Sequence, residues 1–243
     1  MNSSKCPKVT LRSDETVDAF LDGRLKVIQS KTGYRFSIDA VLLAEFVTIR
    51  PGDVVVDFGA GCGVIPLILL LSRPVGFAIG IEIQAGLVDQ AARNASLNGF
   101  NNKMFVIWGD VRSLPLKESS ADVVLCNPPY RKKNSGRVNP DRQRAIARHE
   151  ILLSLDDILH AARRLLKVKG RLAMIYPASR LVDMMVRMRG FGLEPKRVRV
   201  LYPGATSESK LVLIEASLGG RSGLKIMPPL FDQGCFSIVR HRI

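Results

Sequence analysis

Beyond residue 50 the chain alternates two kinds of apolar segment. Short runs rich in Val and Ile, such as "DVVVDF", "FAIGIE", "MFVIWG" and "ADVVLC", show no polar alternation, and stretches with a helical apolar period lie between them. Strands apolar on both faces and separated by helices predict an α/β fold with a mostly parallel sheet covered on both sides. The pattern predicts helices over 64–72, 84–98, 154–168 and 180–190, with later strands at "RLAMIYP", "RVRVLYP" and "KLVLIEASL". Before residue 50 the signal is mixed. "RLKVIQ" alternates like a strand, Gly33 offers a turn, and Ser37 is placed to cap a helix over "IDAVLLAEFV". Pro51-Gly52 marks a boundary, so the expected organisation is an N-terminal strand-and-helix cap over 1–50 packed on a core domain over 51–243. Only 131–150 lacks a periodic apolar face, and a stretch of that length inside a compact domain points to a functional loop.

With 243 residues and 47% hydrophobic content the chain can bury a full core. Its longest apolar run, Gly63 to Leu71, is less than half of the roughly 20 residues a membrane span needs. No apolar leader segment opens the sequence, so a soluble cytoplasmic protein is expected. Cys6, Cys62, Cys126 and Cys235 form no CxxC pair and have no nearby histidine, which suggests neither a disulfide framework nor a metal site. Cys62 and Cys126 are expected as small reduced core residues, and Trp108 as core at a strand end.

Charge changes the picture once it is divided along the chain. Residues 1–50 carry 8 basic and 6 acidic side chains, 51–130 carry 5 and 7, and 131–243 carry 23 and 9, giving net charges of +2, −2 and +14. The whole excess lies after residue 130, which points to a polyanionic partner on that side; a generally solvated basic surface is the plainer alternative.

In a parallel sheet covered by helices, ligands sit at the carboxyl ends of the strands. The first strand ends "DFGAGCG": Asp57 closes it, and Gly59, Gly61 and Gly63 let the backbone turn tightly and approach a ligand at a helix N-terminus. The spacing G-x-G-x-G behind an acid differs from the G-x-G-x-x-G dinucleotide fingerprint. Glu82 ends the second strand, 19 residues after Gly63, where a carboxylate can accept both hydroxyls of a ribose. Asp110 follows the third strand in "WGD", placed to accept from an adenine amino group. The fourth strand runs into "CNPPYRKK", an order of residues that folding alone does not require.

The ordered series of Asp57, glycines, Glu82 and Asp110 resembles the class I S-adenosylmethionine-dependent methyltransferases over about 50–217. That resemblance implies a Rossmann-like seven-stranded sheet whose last strand is antiparallel, a role "KLVLIEASL" fits. It also implies that Gly59 and Gly61 lie against the methionine part of the cofactor, Glu82 on the ribose and Asp110 on the adenine, with Asp57 supporting the loop. Asn-Pro-Pro-Tyr after the fourth strand marks members of that class that methylate a planar amino group. The amide oxygen of Asn127 and the carbonyl oxygen of Pro128 can accept the two N–H bonds of such an amine and aim its nitrogen. Tyr130 supplies a face for the flat group to stack on.

Arg131, Lys132, Lys133, Arg137, Arg142, Arg144 and Arg148 could neutralise backbone phosphates while a splayed base enters, with a solvated loop as the plainer reading. Arg180, Lys196, Arg197 and Arg199 could extend that surface. "FSIDAVLLAEF", "CNPPY" with its basic loop ending "AIARHE", "EPKRVRVLYP" and "KIMPPLF" look like the tRNA1(Val) adenine-N6 methyltransferase family over nearly the whole chain. This narrower resemblance implies S-adenosylmethionine as cofactor, tRNA as partner, the adenine beside the anticodon as target, and Phe36 and Asp39 as cofactor contacts. His149 is read as a loop or helix-start residue. Protein-glutamine methyltransferases share NPPY, but only about 50 residues precede the glycine loop here, and a peptide target leaves the basic half unexplained. DNA adenine methylases generally carry a target-recognition domain for which about 26 residues after the last strand leave no room. A catalytically silent RNA-binding protein on the same scaffold is the remaining alternative.

Overall fold

The computed structural model describes residues 9–33, 35–128 and 153–231. These fall into two compact units that divide between Asp110 and Val111.

The first unit opens with an antiparallel hairpin, β1 (Glu15–Phe20) and β2 (Leu25–Ser30), in which Glu15 faces Ser30 and Phe20 faces Leu25. β2 coincides with the predicted strand, whereas β1 carries no clear strand pattern, because "ETVDAF" has only three apolar residues and one of them, Val17, is exposed. Helix α1 (Ile38–Phe46) begins where expected, with Ser37 at the N-cap position, but the Ser37 side chain makes no capping hydrogen bond. Strands β3 (Val54–Phe58), β4 (Phe77–Glu82) and β5 (Met104–Trp108) then form a parallel ladder in the order β3-β4-β5. Helix α2 (Val64–Ser72) is apolar along its length and buries Val64 to Leu69; Pro66 sits in its first turn, where no intrahelical N–H is required of it. Helix α3 (Ala85–Leu97) is amphipathic and packs on β5 and β2.

One polar connection holds the hairpin to α3. Asn94, fully buried, accepts from the Ile28 N–H at 2.6 Å and donates to the Ile28 carbonyl at 3.1 Å and the Cys62 carbonyl at 2.9 Å. One turn later Asn98 repeats the pattern on Lys26, accepting at 2.9 Å and donating at 2.7 Å. Two amides four residues apart on a helix thus meet alternate residues of a strand. Nearby, buried Glu15 accepts from Arg93 at 2.8 Å through Oε2 and from Gln90 at 3.2 Å through Oε1.

In the second unit β6 (Ala121–Cys126) pairs in parallel with β7 (Leu166–Pro177), and β9 (Leu211–Leu218) lies antiparallel between β7 and β8 (Leu193–Tyr202). The strand read from "KLVLIEASL" is therefore antiparallel to its neighbours, as expected. The first unit's ladder holds β3, β4 and β5, and the second unit's holds β6 to β9. Helix α4 (Leu155–Leu165) starts on a capping box in which the Ser154 hydroxyl accepts from Asp157 N–H and the Asp157 carboxylate accepts from Ser154 N–H. It ends three residues earlier than its apolar period suggests, and the chain passes directly into β7. The reason lies in "KVKG": Val168 points to solvent, Lys169 takes a left-handed conformation, and a side chain at position 170 would meet the Lys167 carbonyl at 2.7 Å. Helix α5 (Leu181–Gly190) precedes β8, and two short strands, β10 (Lys225–Ile226) and β11 (Leu230–Phe231), both run parallel to β8. No described helix is long and apolar enough to cross a membrane.

Candidate functional site

Each unit presents one set of chemically active strand ends. In the first, β3 ends at Asp57-Phe58 and the chain enters the glycine loop. Gly59, Gly61 and Gly63 all have positive φ (72°, 57° and 84°), a conformation in which a β-carbon is strained, which is why the loop is built from glycine. Gly63 has a second reason: a β-carbon there would lie 2.4 Å from the Met104 methyl and 3.2 Å from the Ala91 side chain. Gly59 differs, since nothing stands within 4 Å of the position its β-carbon would take, so the loop backbone borders open space on that side.

Glu82, buried at the end of β4, fixes this loop. Its Oε2 accepts from Gly61 N–H and its Oε1 from Gln84 N–H at the start of α3, each at 2.9 Å. Gly59 and Ala60 N–H bond to the Ile81 carbonyl at 2.8 and 3.0 Å. The glycine loop and the acid-bearing strand end are therefore one hydrogen-bonded body. Asp110 stands just past β5, where Gly109 N–H donates to the Glu82 carbonyl at 3.0 Å. Gly59, Gly61, Glu82 and Asp110 thus gather at neighbouring strand ends. Phe36 and Asp39 are half-buried before and within the first turn of α1. The Phe36 ring lies edge-on to Phe20 at 5.4 Å and its N–H donates to Gln29 Oε1 at 3.1 Å, contacts that belong to the hairpin.

Asp57 is the unusual member. It is buried, and neither carboxyl oxygen has a hydrogen-bond partner. Burial foremost, and the neighbouring Glu82 charge next, push its carboxyl well above the ordinary aspartate range. Cys62, buried in the same loop, is likewise pushed up to about 12 by burial, which makes it an inert thiol. A proton on Asp57 that the unfolded chain releases near pH ~3.9 makes stability fall as pH rises above that value toward the folded pKa. Asp57→Asn is therefore expected to raise the urea midpoint at neutral pH and to flatten the decline that sets in above about pH 4. Glu15 runs the other way: the Arg93 hydrogen bond holds it at about 2, so its contribution is complete above the ordinary glutamate range and is lost as pH falls toward 2. It leaves the higher window undisturbed. An Asp57→Asn profile with the same slope as the parent would show that Asp57 is ionised when folded.

The residues present fit the cofactor implied by the sequence. A glycine backbone open on one side, a buried carboxylate at the adjacent strand end and an acid one strand further match an amino acid, a ribose and a base in that order. An unpartnered carboxyl beneath the loop would also be relieved by a nearby cation. Among the described residues no group of three or more His, Cys, Asp or Glu is arranged to hold a metal ion.

In the second unit β6 is buried from Val123 to Cys126 and delivers Asn127, half-buried, and Pro128, buried, at its carboxyl end. Cys126 is a buried thiol in no disulfide, as anticipated. β7 reaches the same end, and there Arg180 stacks over the Tyr176 ring at 5.6 Å and pairs with Asp183, which also binds Arg187. Tyr130, Arg131, Lys132, Lys133, Arg137, Arg142, Arg144, Arg148 and His149 lie outside the described residues.

Trp108 corrects the sequence reading. It is 68% exposed rather than core, because β5 is the outer strand of the first unit's ladder and Trp108 closes it. Its indole N–H donates to the Ile83 carbonyl at 2.9 Å. Asn94 was also missed; its only sequence signal is an amide on the inward face of an amphipathic helix.

The methyltransferase domain family matches residues 49–193. A Porphyromonas gingivalis protein named tRNA1(Val) (adenine(37)-N6)-methyltransferase is 31% identical over 82% of this chain and 80% of its own. A protein of that name from Parabacteroides distasonis is 27% identical over 90% of both chains. Among solved structures, a predicted O-methyltransferase from Agrobacterium tumefaciens superimposes with a TM-score of 0.63 at 18% identity, covering 79% of this chain and 86% of that one. Geranyl diphosphate C-methyltransferase from Streptomyces coelicolor, solved with S-adenosyl-L-homocysteine, gives 0.56 at 17% identity over 74% and 79%. These two share the fold and the domain match gives the methyltransferase class, whereas the sequence relatives carry the narrower assignment: the chain belongs to the methyltransferases and, among them, to the tRNA1(Val) (adenine(37)-N6)-methyltransferase family.

Proposed function

We propose that the protein transfers a methyl group from S-adenosylmethionine to the N6 amino group of an adenine in tRNA, at position 37 beside the anticodon, in the cytoplasm. The observation that carries the reading is Asn127-Pro128 at the end of a buried strand, continued by Pro129 and Tyr130 in the sequence. An adenine amino group is conjugated with its ring, so its lone pair is poorly available until its N–H bonds are held. The Asn127 amide oxygen and the Pro128 carbonyl accept one N–H each and turn the nitrogen toward attack. As positive charge develops on that nitrogen, the same two acceptors stabilise it, and a proton leaves afterwards. Proline at 128 and 129 contributes no backbone N–H to compete for these oxygens. Tyr130 stacks the base.

In the first unit Gly59 and Gly61 hold the methionine part of the cofactor, Glu82 the ribose and Asp110 the adenine, with Phe36 and Asp39 bordering it from the 1–50 segment. Asp57 supports the loop. S-adenosylmethionine, when bound, supplies the electrophilic methyl carbon. Among the cations of 131–148, Arg131, Lys132 and Lys133 begin directly after Tyr130. Reversing the charge of these three is expected to weaken tRNA binding and to make the salt dependence shallower by roughly 0.7 per lost phosphate contact. Filter binding over a salt series measures it, and unchanged affinity would return the segment to a solvated surface.

The test of the whole reading is incubation with labelled cofactor and, separately, unmodified tRNA, duplex DNA and a release-factor peptide. Transfer to tRNA alone, mapped to the adenine beside the anticodon, is expected. Transfer to the peptide would make this a protein-glutamine methyltransferase, and binding of tRNA without transfer to any acceptor would leave a silent RNA-binding scaffold.

A further inference from the structure

Trp108 is the one tryptophan of the chain, and most of its ring faces solvent. An indole kept for packing buries its rings and leaves its N–H at the margin. Here the N–H is tied to the Ile83 carbonyl at 2.9 Å and the rings are left outside. With its polar atom satisfied and its orientation fixed by that bond, the side chain offers a rigid apolar face.

The position of that face is specific. In the parallel pairing of β4 and β5, Trp108 stands opposite Glu82, so both side chains leave the same face of the sheet on strands about 4.8 Å apart. Gly109 follows, with its N–H on the Glu82 carbonyl and only the Ile107 side chain, at 3.9 Å, near where a β-carbon would be. Asp110 comes next. A nucleoside whose ribose is on Glu82 and whose amino group is on Asp110 must lay its ring across the ground between them, which is Trp108 and Gly109.

We propose that Trp108 is a cofactor-binding residue whose indole forms a wall of the adenine pocket and takes the purine by stacking. The inference rests on the placement of ribose and adenine at Glu82 and Asp110 given above. An exposed indole could also serve an RNA base. Its register with Glu82 and its tie to Ile83 put it on the cofactor's strand ends and favour the nucleoside.

Because no second tryptophan contributes, indole emission reports this one site. Titration of the full-length protein with S-adenosyl-L-homocysteine is expected to change the emission saturably, with the dissociation constant that calorimetry gives. 5′-Methylthioadenosine should reproduce the change and free methionine should not. Trp108→Ala is expected to weaken cofactor binding roughly 10- to 100-fold, and Trp108→Phe, which keeps an aromatic face, to stay within about threefold of the parent. A folded Trp108→Ala with parental cofactor affinity, or calorimetric binding with no emission change, overturns the proposal and leaves the cofactor reading standing. A change produced by tRNA and not by the nucleoside overturns it in favour of an RNA contact. Absence of calorimetric binding to the parent protein removes the cofactor reading itself, and this inference with it.

Discussion

Asn127→Ala is expected to slow methyl transfer to tRNA by roughly 10²–10³-fold or more while cofactor affinity stays within about twofold of the parent. The expectation follows from what the side chain does and when. An acceptor on an adenine N–H gains strength only as the nitrogen becomes positive, so its loss raises the barrier more than it weakens ground-state binding. Alanine removes that acceptor without touching β6, whose buried residues Val123 to Cys126 fix the strand end. The residues proposed for the cofactor, Gly59, Gly61 and Glu82, belong to the other unit. Single-turnover transfer with labelled cofactor, beside calorimetric titration of S-adenosyl-L-homocysteine, separates the two quantities. Full activity in the variant would end the amine-clamp mechanism. A parallel loss of cofactor binding would recast Asn127 as a pocket residue.

The largest stability effect is expected at Asn94. Alanine there strands three backbone groups in a dry interior, the N–H and carbonyl of Ile28 and the carbonyl of Cys62. Each buried unsatisfied group costs about 1–3 kcal/mol, so a loss of about 3 kcal/mol or more is expected from a domain stable by only about 5–15. Asn94→Asp is the sharper variant. A carboxylate keeps the acceptor for Ile28 N–H but has no donor for the two carbonyls, and it adds a buried charge. Its deficit should therefore grow as pH rises, whereas that of Asn94→Ala should not. Urea midpoints at constant m measure both. An Asn94→Ala midpoint within error of the parent would mean that water replaces the amide.

The fold was readable because its strands are apolar on both faces and its helices follow at regular intervals; α2, for instance, occupies the 64–72 predicted for it. The glycine loop was readable for a stricter reason. Three left-handed residues in five positions can hardly be built from other side chains, so geometry leaves its mark on composition. What escaped depends on tertiary context. Trp108 looks like core until β5 is known to be the outer strand of its ladder. Asn94 meets its partner 66 residues away, and no local pattern records such a distance. The orphaned carboxyl of Asp57 also escaped, since an acid before a glycine loop reads the same whether or not it finds a donor.

The short strands that run beside β8 have a meaning for how the protein behaves in company. The outermost strand of a sheet presents free main-chain groups to which any extended chain can add, the first step of polymerisation. β8 is ten residues long, and β10 lies against Arg197 and Val198, β11 against Leu201 and Tyr202, and Met227 N–H donates to the Val198 carbonyl at 2.8 Å. The segment around "KIMPPLF" thereby occupies part of that edge, so those positions of β8 are not open to another chain. Its paired prolines, Pro228 and Pro229, which cannot donate to a further ladder, make it a poor template in turn.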